Sequence, residues 1–234
     1  MLRLEGVRIV QEDFTLAADF GVPEGAIVAV LGPSGAGKST LLGAISGFVP
    51  LSGGRILWKG ADIGGLSPGA RPLSILFQDN NLFPHLSIAD NVALGLRPDL
   101  RLSTAQRQRV ESALARVGLD GFGNRRPGTL SGGQQGRAAL ARVLLRARPL
   151  LLLDEPFSAL GPALRQEMLD LVRAIARESG ATVLMVTHEP RDAEAVADSV
   201  ILVADGSALP PVGTAALMAD PPPALRDYLG HRPS

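Results

Sequence analysis

Lys38 and Lys59 are the two lysines of a 234-residue chain whose other fixed cations are arginines, and Lys38 falls inside a glycine-rich loop. The stretch Gly32, Pro33, Ser34, Gly35, Ala36, Gly37, Lys38, Ser39, Thr40 fits the spacing G-x-x-x-x-G-K-[ST]. An apolar run, Ala26 to Leu31, precedes it, and "KSTLLGAIS" follows with helical character. A loop between a buried strand and a helix start can do specific chemistry. Gly35 and Gly37 allow backbone conformations that turn N–H groups inward, and the helix start adds partial positive charge, so the loop can cradle phosphate. Lys38 is expected to reach the β- and γ-phosphates, and Ser39 to present its hydroxyl to Mg²⁺. At an effective dielectric near 20, a charge pair at 4 Å is worth about 4 kcal/mol, which makes Lys38 essential to that task.

A second pair stands far downstream. Four leucines, Leu150 to Leu153, run into Asp154 and Glu155. Carboxylates at the C-terminal end of a buried parallel strand sit where ligands bind in open α/β folds. Neighbouring residues point apart, so Asp154 is expected to hold Mg²⁺ and Glu155 to polarise an attacking water.

The rest of the chain must position these groups. "FTLAADF" alternates Phe14, Leu16, Ala18 and Phe20 as a half-buried strand does, while "RILW", "LSILF", "ATVLMVTH" and "SVILVAD" read as further strands. From about 79 to 148 the pattern turns helical, with a capping box at Ser103 and Gln106, an apolar stripe of Val110, Leu114 and Val117, and Gly118 as a stop. Pro162 opens another helix that runs on to Arg177, and Asp205-Gly206 marks a turn. Strands alternating with helices imply a mainly parallel α/β core. The expected division is one domain over 1–234: a core at 1–78 and 149–210, an inserted helical subdomain at 79–148, and a short tail at 211–234. Acidic and basic side chains balance at 23 each, so no global field points toward nucleic acid or anionic lipid. With no cysteine there is no disulfide framework or thiolate metal site. No apolar run approaches the roughly 18 residues that span a bilayer, so a membrane role must come through a partner.

Three further motifs complete an ordered set. "LSGGQ" (Leu130 to Gln134), Gln78 after "LSILF", and His188 in "VTH" resemble the signature, the Q-loop and the switch histidine of ATP-binding cassette (ABC) transporter ATPases. With the loop at Gly32 and the pair at Asp154, they span most of the chain in that family's order. The resemblance implies a P-loop NTPase of ABC ATPase type, with an antiparallel β part beside the parallel core. It implies an ATPase that uses ATP and Mg²⁺ and works as a homodimer. Ser131, Gly132, Gly133 and Gln134 of one subunit would close over the ATP held by the loop of the other, and Ser39, Gln78 and Asp154 would serve Mg²⁺. Lys38, Glu155, Gln78 and His188 would be the catalytic set. Permease subunits would anchor the dimer to the cytoplasmic face of the inner membrane, with a periplasmic binding protein as an indirect partner. Leu82 and Phe83 are candidates for the permease contact. More narrowly, "LFQDNNLFPHLS", "NVALGL", "LLLLDEPFSALGPALRQEML" and "LMVTHEPRDA" are similar to the ATP-binding subunits of thiamine importers, so uptake of thiamine is the expected cargo function and another small solute or ion the alternative.

Some positions depart from the family pattern. Gln11 stands near where many members carry an adenine-stacking aromatic, which leaves Phe14 as the nearest ring. Gly161 replaces an aspartate in "SALG", and Gln135 and Gly136 stand where Arg and Gln are frequent, placing a glycine in the expected first turn of a helix. Other ATPase classes fit less well. Chromosome-maintenance relatives insert long coiled coils before the signature, translation-linked ones carry two cassettes, and a GTPase would need an N-K-x-D motif, which is not present.

Overall fold

The computed structural model describes residues 1–12, 14–79 and 81–228. The first strands, β1 (Leu2–Gln11) and β2 (Phe14–Val22), pair antiparallel, and Leu16, Ala18, Phe20 and Val22 turn to the core. β3 (Ile27–Leu31) is buried at every residue, as a central strand covered on both faces must be. It runs through the glycine loop into α1 (Lys38–Ser46). β4 (Gly53–Trp58), β5 (Ala61–Asp62) and β6 (Leu73–Leu76) follow. Next come α2 (Ile88–Ala93), α3 (Thr104–Arg116), a 3₁₀ turn (Pro127–Thr129) and α4 (Gly132–Arg146). The chain continues through β7 (Leu150–Asp154), α5 (Pro162–Ser179), β8 (Thr182–Val186), α6 (Pro190–Val196), β9 (Ser199–Ala204) and β10 (Ser207–Ala208). It reaches β11 (Val212–Gly213), α7 (Thr214–Ala219) and α8 (Pro223–Tyr228).

The sheet runs β5-β4-β1-β2-β10-β9-β3-β8-β7-β6, with β11 on the side of β9. From β9 to β6 every neighbouring pair is parallel, whereas β5, β4, β1 and β2 pair antiparallel. This is the parallel core that the alternation of strands and helices implied, with the antiparallel part that the family resemblance implied. Asp205 and Gly206 both take positive φ, 48° and 70°, the geometry of a two-residue hairpin turn, and join β9 to β10.

The helices between β6 and β7 carry an apolar cluster of their own, built from Ile88, Val92, Val110, Leu114, Leu130 and Ala138 among others. Ser103 and Gln106 cap α3 reciprocally, and Gly118 follows in the left-handed region at φ 70°. After Pro210, Leu217 and Leu225 are buried against Ala29, Leu31, Val200 and Leu202, so α7 and α8 cover the edge-on face of β3 and β9. Arg71, itself buried, donates to the carbonyls of Ala44 and Ile45 at the end of α1 and to those of Leu66 and Gly64. A guanidinium at a helix C-terminus meets the negative end of its dipole, and here it clamps the helix that carries Lys38. No helix of the described residues is long and apolar enough to cross a membrane.

Asp198 ties three elements together. One carboxylate oxygen accepts from the Ile27 amide at 2.8 Å, and the other pairs with Arg177 on α5. Burial alone would raise its pKa, but the Arg177 hydrogen bond, the Ile27 amide and the charges of Arg177 and Arg173 together hold it below the ordinary value. A depressed carboxylate stabilises the fold above its unfolded pKa and loses that contribution as pH falls through its folded one. Asp198→Asn should therefore lower the melting temperature at pH 7. The gap from the unmodified chain should narrow as pH falls below the ordinary aspartate range and through the depressed folded pKa, a trend that thermal melts along an acid pH series will read.

Candidate functional site

β3, β8 and β7 lie side by side and parallel, so their carboxyl ends share one edge of the sheet. From that edge β3 leads to the glycine loop, β7 ends on Asp154, and β8 leads to Thr187 and His188. Between them opens a cleft of about 540 Å³ walled by Ser34, Gly35, Gly37, Lys38, Ser39 and Thr40 on the loop side and by Glu155 and His188 opposite. Gln11 and Phe14 close one end. Gly35 and Gly37 take φ of 77° and 101°, and a Cβ on Gly37 would lie 2.4 Å from the Phe14 ring. Only glycine fits there. α1 starts without a capping side chain, which leaves its first amides for an anion. Lys38 is buried and donates to the Gly32 and Pro33 carbonyls at 2.8 Å each. Burial lowers its pKa, and the charges of Glu155 and Asp154 oppose that shift.

The two carboxylates diverge. Asp154 accepts a hydrogen bond from the Ser39 hydroxyl at 3.0 Å. Burial pushes the Asp154 carboxyl up and the Ser39 hydrogen bond pulls it back, with the Glu155 charge adding to the rise. Glu155 takes a left-handed backbone conformation, φ 45°, pinned by its amide to the Val186 carbonyl at 3.1 Å. Strain of this kind persists where the surroundings over-determine it, often at functional sites. The turn aims Glu155 at His188, whose Nδ1 lies 3.3 Å from Oε2. Gln78 is not brought into this group: it sits exposed in the turn two residues beyond β6 and does not line the cleft.

Ser131 to Gln134 do not line the cleft of their own chain either. Ser131 caps α4: its hydroxyl accepts from the Gln134 amide at 3.3 Å, and the Gln134 side chain accepts from the Ser131 amide at 3.0 Å. The pattern S-x-x-Q carries this signal, the same one that marks Ser103 and Gln106. Ser131 and Gly132 are exposed, whereas Gly133 is buried, and a Cβ on it would lie 2.2 Å from Leu164 of α5. Gln135 donates to the Pro127 and Leu130 carbonyls at 3.1 and 3.2 Å and so fastens the preceding turn to α4.

The ABC transporter family profile matches residues 16–158. The thiamine import ATP-binding protein ThiQ of Cereibacter sphaeroides is 64% identical over 230 residues, which is 98% of this chain and 100% of that protein. The chain belongs to the ABC transporter ATP-binding family. Proteins of the same name from Ruegeria sp. and Jannaschia sp. are 57% and 52% identical, each over 98% of this chain and their full length. Among solved structures, the ATP-binding cassette MJ0796, in a dimeric post-hydrolysis state bound to ADP and Pi, matches with a TM-score of 0.79 and 29% identity, over 92% of this chain and 99% of that one.

Within this ABC family member, the departures noted in the sequence acquire positions. Phe14 is only partly buried, since its ring borders the cleft beside Gln11, its cross-strand partner. Strand alternation assigned it to the core and could not register that β2 starts at the rim. Gly161 is the N-cap of α5, exposed and without a side-chain cap. Gly136 is the fifth residue of α4, not part of its first turn, because the helix starts at Gly132. Leu82 packs between two apolar clusters, whereas Phe83 is 46% exposed.

The contact of Gly133 with Leu164 makes the start of α4 intolerant of volume. Gly133→Ala should destabilise the fold by about 1–3 kcal/mol, as overpacking does. Adding Leu164→Ala should recover most of that loss. Urea unfolding of the two single variants and the double variant measures the coupling.

Proposed function

We propose that this chain binds ATP with Mg²⁺ in the cleft between the glycine loop and the Glu155–His188 pair, and that its hydrolysis drives import of thiamine. The observation that carries the ATPase reading is the convergence of a buried lysine, a hydroxyl–carboxylate pair and a glutamate–histidine pair on one sheet edge. Gly32 to Thr40 would wrap the phosphates with backbone amides, and Lys38 would exchange its two carbonyl partners for β- and γ-phosphate oxygens.

Ser39 and Asp154 suit Mg²⁺ as hard oxygen donors already in contact at 3.0 Å. Among the described residues no cluster of three or more His, Cys, Asp or Glu could hold a metal. That fits an ion held by one carboxylate, one hydroxyl and the substrate's own phosphates. When bound, Mg²⁺ neutralises charge on the phosphate oxygens. Glu155 would take the proton of the attacking water, and His188 would hold Glu155 in place while contacting the γ-phosphate. Gln78 would join the ion and the water only if the turn beyond β6 moves toward the cleft. Phe14 supplies the ring nearest the base, with Gln11 beside it.

A second copy of the chain completes the site in this reading. Ser131 and Gly132 stand exposed at the start of α4, away from their own cleft, and with Gly133 and Gln134 they would close over the γ-phosphate held by the other copy. The dimeric MJ0796 assembly supports that arrangement. Losing the bridging phosphate would then loosen the dimer, the step that permeases read out. Phe83, exposed beside His85, and Phe48, exposed and edge-on to Phe77, are the apolar groups offered to such a permease at the cytoplasmic face of the membrane. The full-length similarity to ThiQ proteins supports thiamine as the cargo.

Two experiments check this reading. Lys38→Ala should abolish turnover, whereas Glu155→Gln should keep ATP affinity, lose at least about a hundredfold in turnover, and accumulate an ATP-bound dimer on gel filtration. Wild-type hydrolysis by Glu155→Gln would remove Glu155 as the base. In a strain unable to make thiamine, deleting the gene should stop growth at low external thiamine and spare it at high concentration. Unchanged uptake of labelled thiamine would overturn the cargo and leave the ATPase standing.

A further inference from the structure

His188 is the middle residue of the three-residue step, Thr187 to Glu189, between β8 and α6. Its neighbour Thr187 is buried, and the Thr187 hydroxyl is used twice. It accepts from the Glu189 amide at 3.1 Å and donates to Asp192 Oδ2 at 2.6 Å, bracketing His188 on both sides. Asp192 is 8% exposed. It does not cap α6, whose start has no side-chain cap; its carboxylate turns to Thr187 instead. Burying a carboxylate costs several kcal/mol unless it is hydrogen-bonded and paired. The charge of Arg165, on α5, acts on it and opposes that cost.

Arg165 also faces the other way. Its Nη2 donates to the Ser158 carbonyl at 3.1 Å, and the Ser158 hydroxyl and amide donate to the Glu155 carbonyl at 3.1 and 3.3 Å. Hydrogen bonds thus run from Thr187 to Asp192 on one side of the Glu155–His188 pair and from Arg165 through Ser158 to the Glu155 carbonyl on the other, with the charge of Arg165 acting on Asp192 across the space between them. A space of about 10 Å³ is walled by Glu155, Ser158, Thr187, His188 and Asp192. That is barely the volume of one water, so the Thr187–Asp192 hydrogen bond is packed closely behind the Glu155–His188 pair.

We propose that Asp192 is a positioning residue for hydrolysis: through the Thr187 hydroxyl it holds His188 against Glu155, and through Arg165 it links that histidine to the loop after Glu155. The proposal rests on the roles given above to Glu155 and His188. Asp192 does not line the nucleotide cleft, so its effect should fall on turnover and not on nucleotide affinity.

The test compares steady-state ATP hydrolysis with equilibrium ATP binding in a small set of variants. Thr187→Val keeps the side-chain shape and removes the hydroxyl, and Asp192→Ala removes the carboxylate. Each should lower kcat by about tenfold to a hundredfold, the loss expected from misplacing a reacting group, with KM and Kd for ATP within about threefold of the unmodified chain. Thr187→Ser and Asp192→Asn retain a donor and an acceptor for the shared hydrogen bond, and should restore most of kcat. Thr187→Val combined with Asp192→Ala should fall no further than the slower single variant, because both remove one interaction. If Thr187→Val and Asp192→Ala turn over within about twofold of the unmodified chain while His188→Ala and Glu155→Gln are inactive, the positioning role is overturned and the catalytic reading survives. If ATP affinity falls together with kcat, Asp192 serves the fold and the proposal is likewise overturned. Activity in His188→Ala and Glu155→Gln would remove the catalytic reading itself.

Discussion

Parallel pairing of β3, β8 and β7 forces the carboxyl ends of three strands onto one edge of the sheet, and everything chemical in this chain hangs from that edge. Residues more than a hundred positions apart in sequence meet because a parallel ladder sets their heights. Ser39 and Asp154, 115 positions apart, touch at 3.0 Å for this reason, and the same ladder brings Glu155 within 3.3 Å of His188. A shift of one residue in either ladder would turn each strand end to the opposite face and dissolve both pairs. These strands are enclosed on both faces, so their apolar runs hold them in the centre of the sheet.

The electrostatics at the edge run against solvation on both sides. Burial disfavours the charge on Lys38 and, separately, the charge on Asp154, although each lies within the other's field. In the proposed function, phosphate oxygens would offset that cost for the lysine and a divalent cation for the carboxylate. Elsewhere the fold treats charge differently. Arg71 spends its donors on carbonyls at the end of α1, and Asp198 is shared between an amide and an arginine, so both fix elements in place.

Much of this was legible in the sequence because the decisive signals are local. Gly35, Gly37 and Lys38 announce a phosphate cradle through spacing alone, and four leucines before Asp154 announce a buried strand with a functional end. The alternation of Leu16, Ala18 and Phe20 placed β2 correctly. What escaped depends on relations that no local pattern contains. Phe14 obeys the same alternation as its neighbours but sits at the rim. Gln78 follows its strand as expected, yet sequence order does not say where the turn beyond β6 carries it. Asp192 is an acidic residue in the first turn of a helix, an ordinary place for a charge, and nothing nearby marks it as buried. The left-handed backbone of Glu155 was equally invisible, since glutamate carries no preference for it. Gly133 is readable as a glycine of a motif, but its reason, the nearness of Leu164, appears only when α4 and α5 are packed.

The strand order also has a consequence for how the protein is made. β3 leaves the ribosome early, yet the strands on either side of it, β8 and β9, are synthesised roughly 150 residues later. At a translation rate of about 5–20 residues per second, that is on the order of ten to thirty seconds. Throughout that interval the apolar segment from Ile27 to Leu31, the one that carries the phosphate loop, has neither of its sheet neighbours. The antiparallel pair β1 and β2 can form at once from local contacts, and the helices with their own apolar cluster can form midway. The nascent chain therefore passes through a long stage with two folded islands and an exposed central strand, the kind of surface that chaperones shield until the last strands arrive.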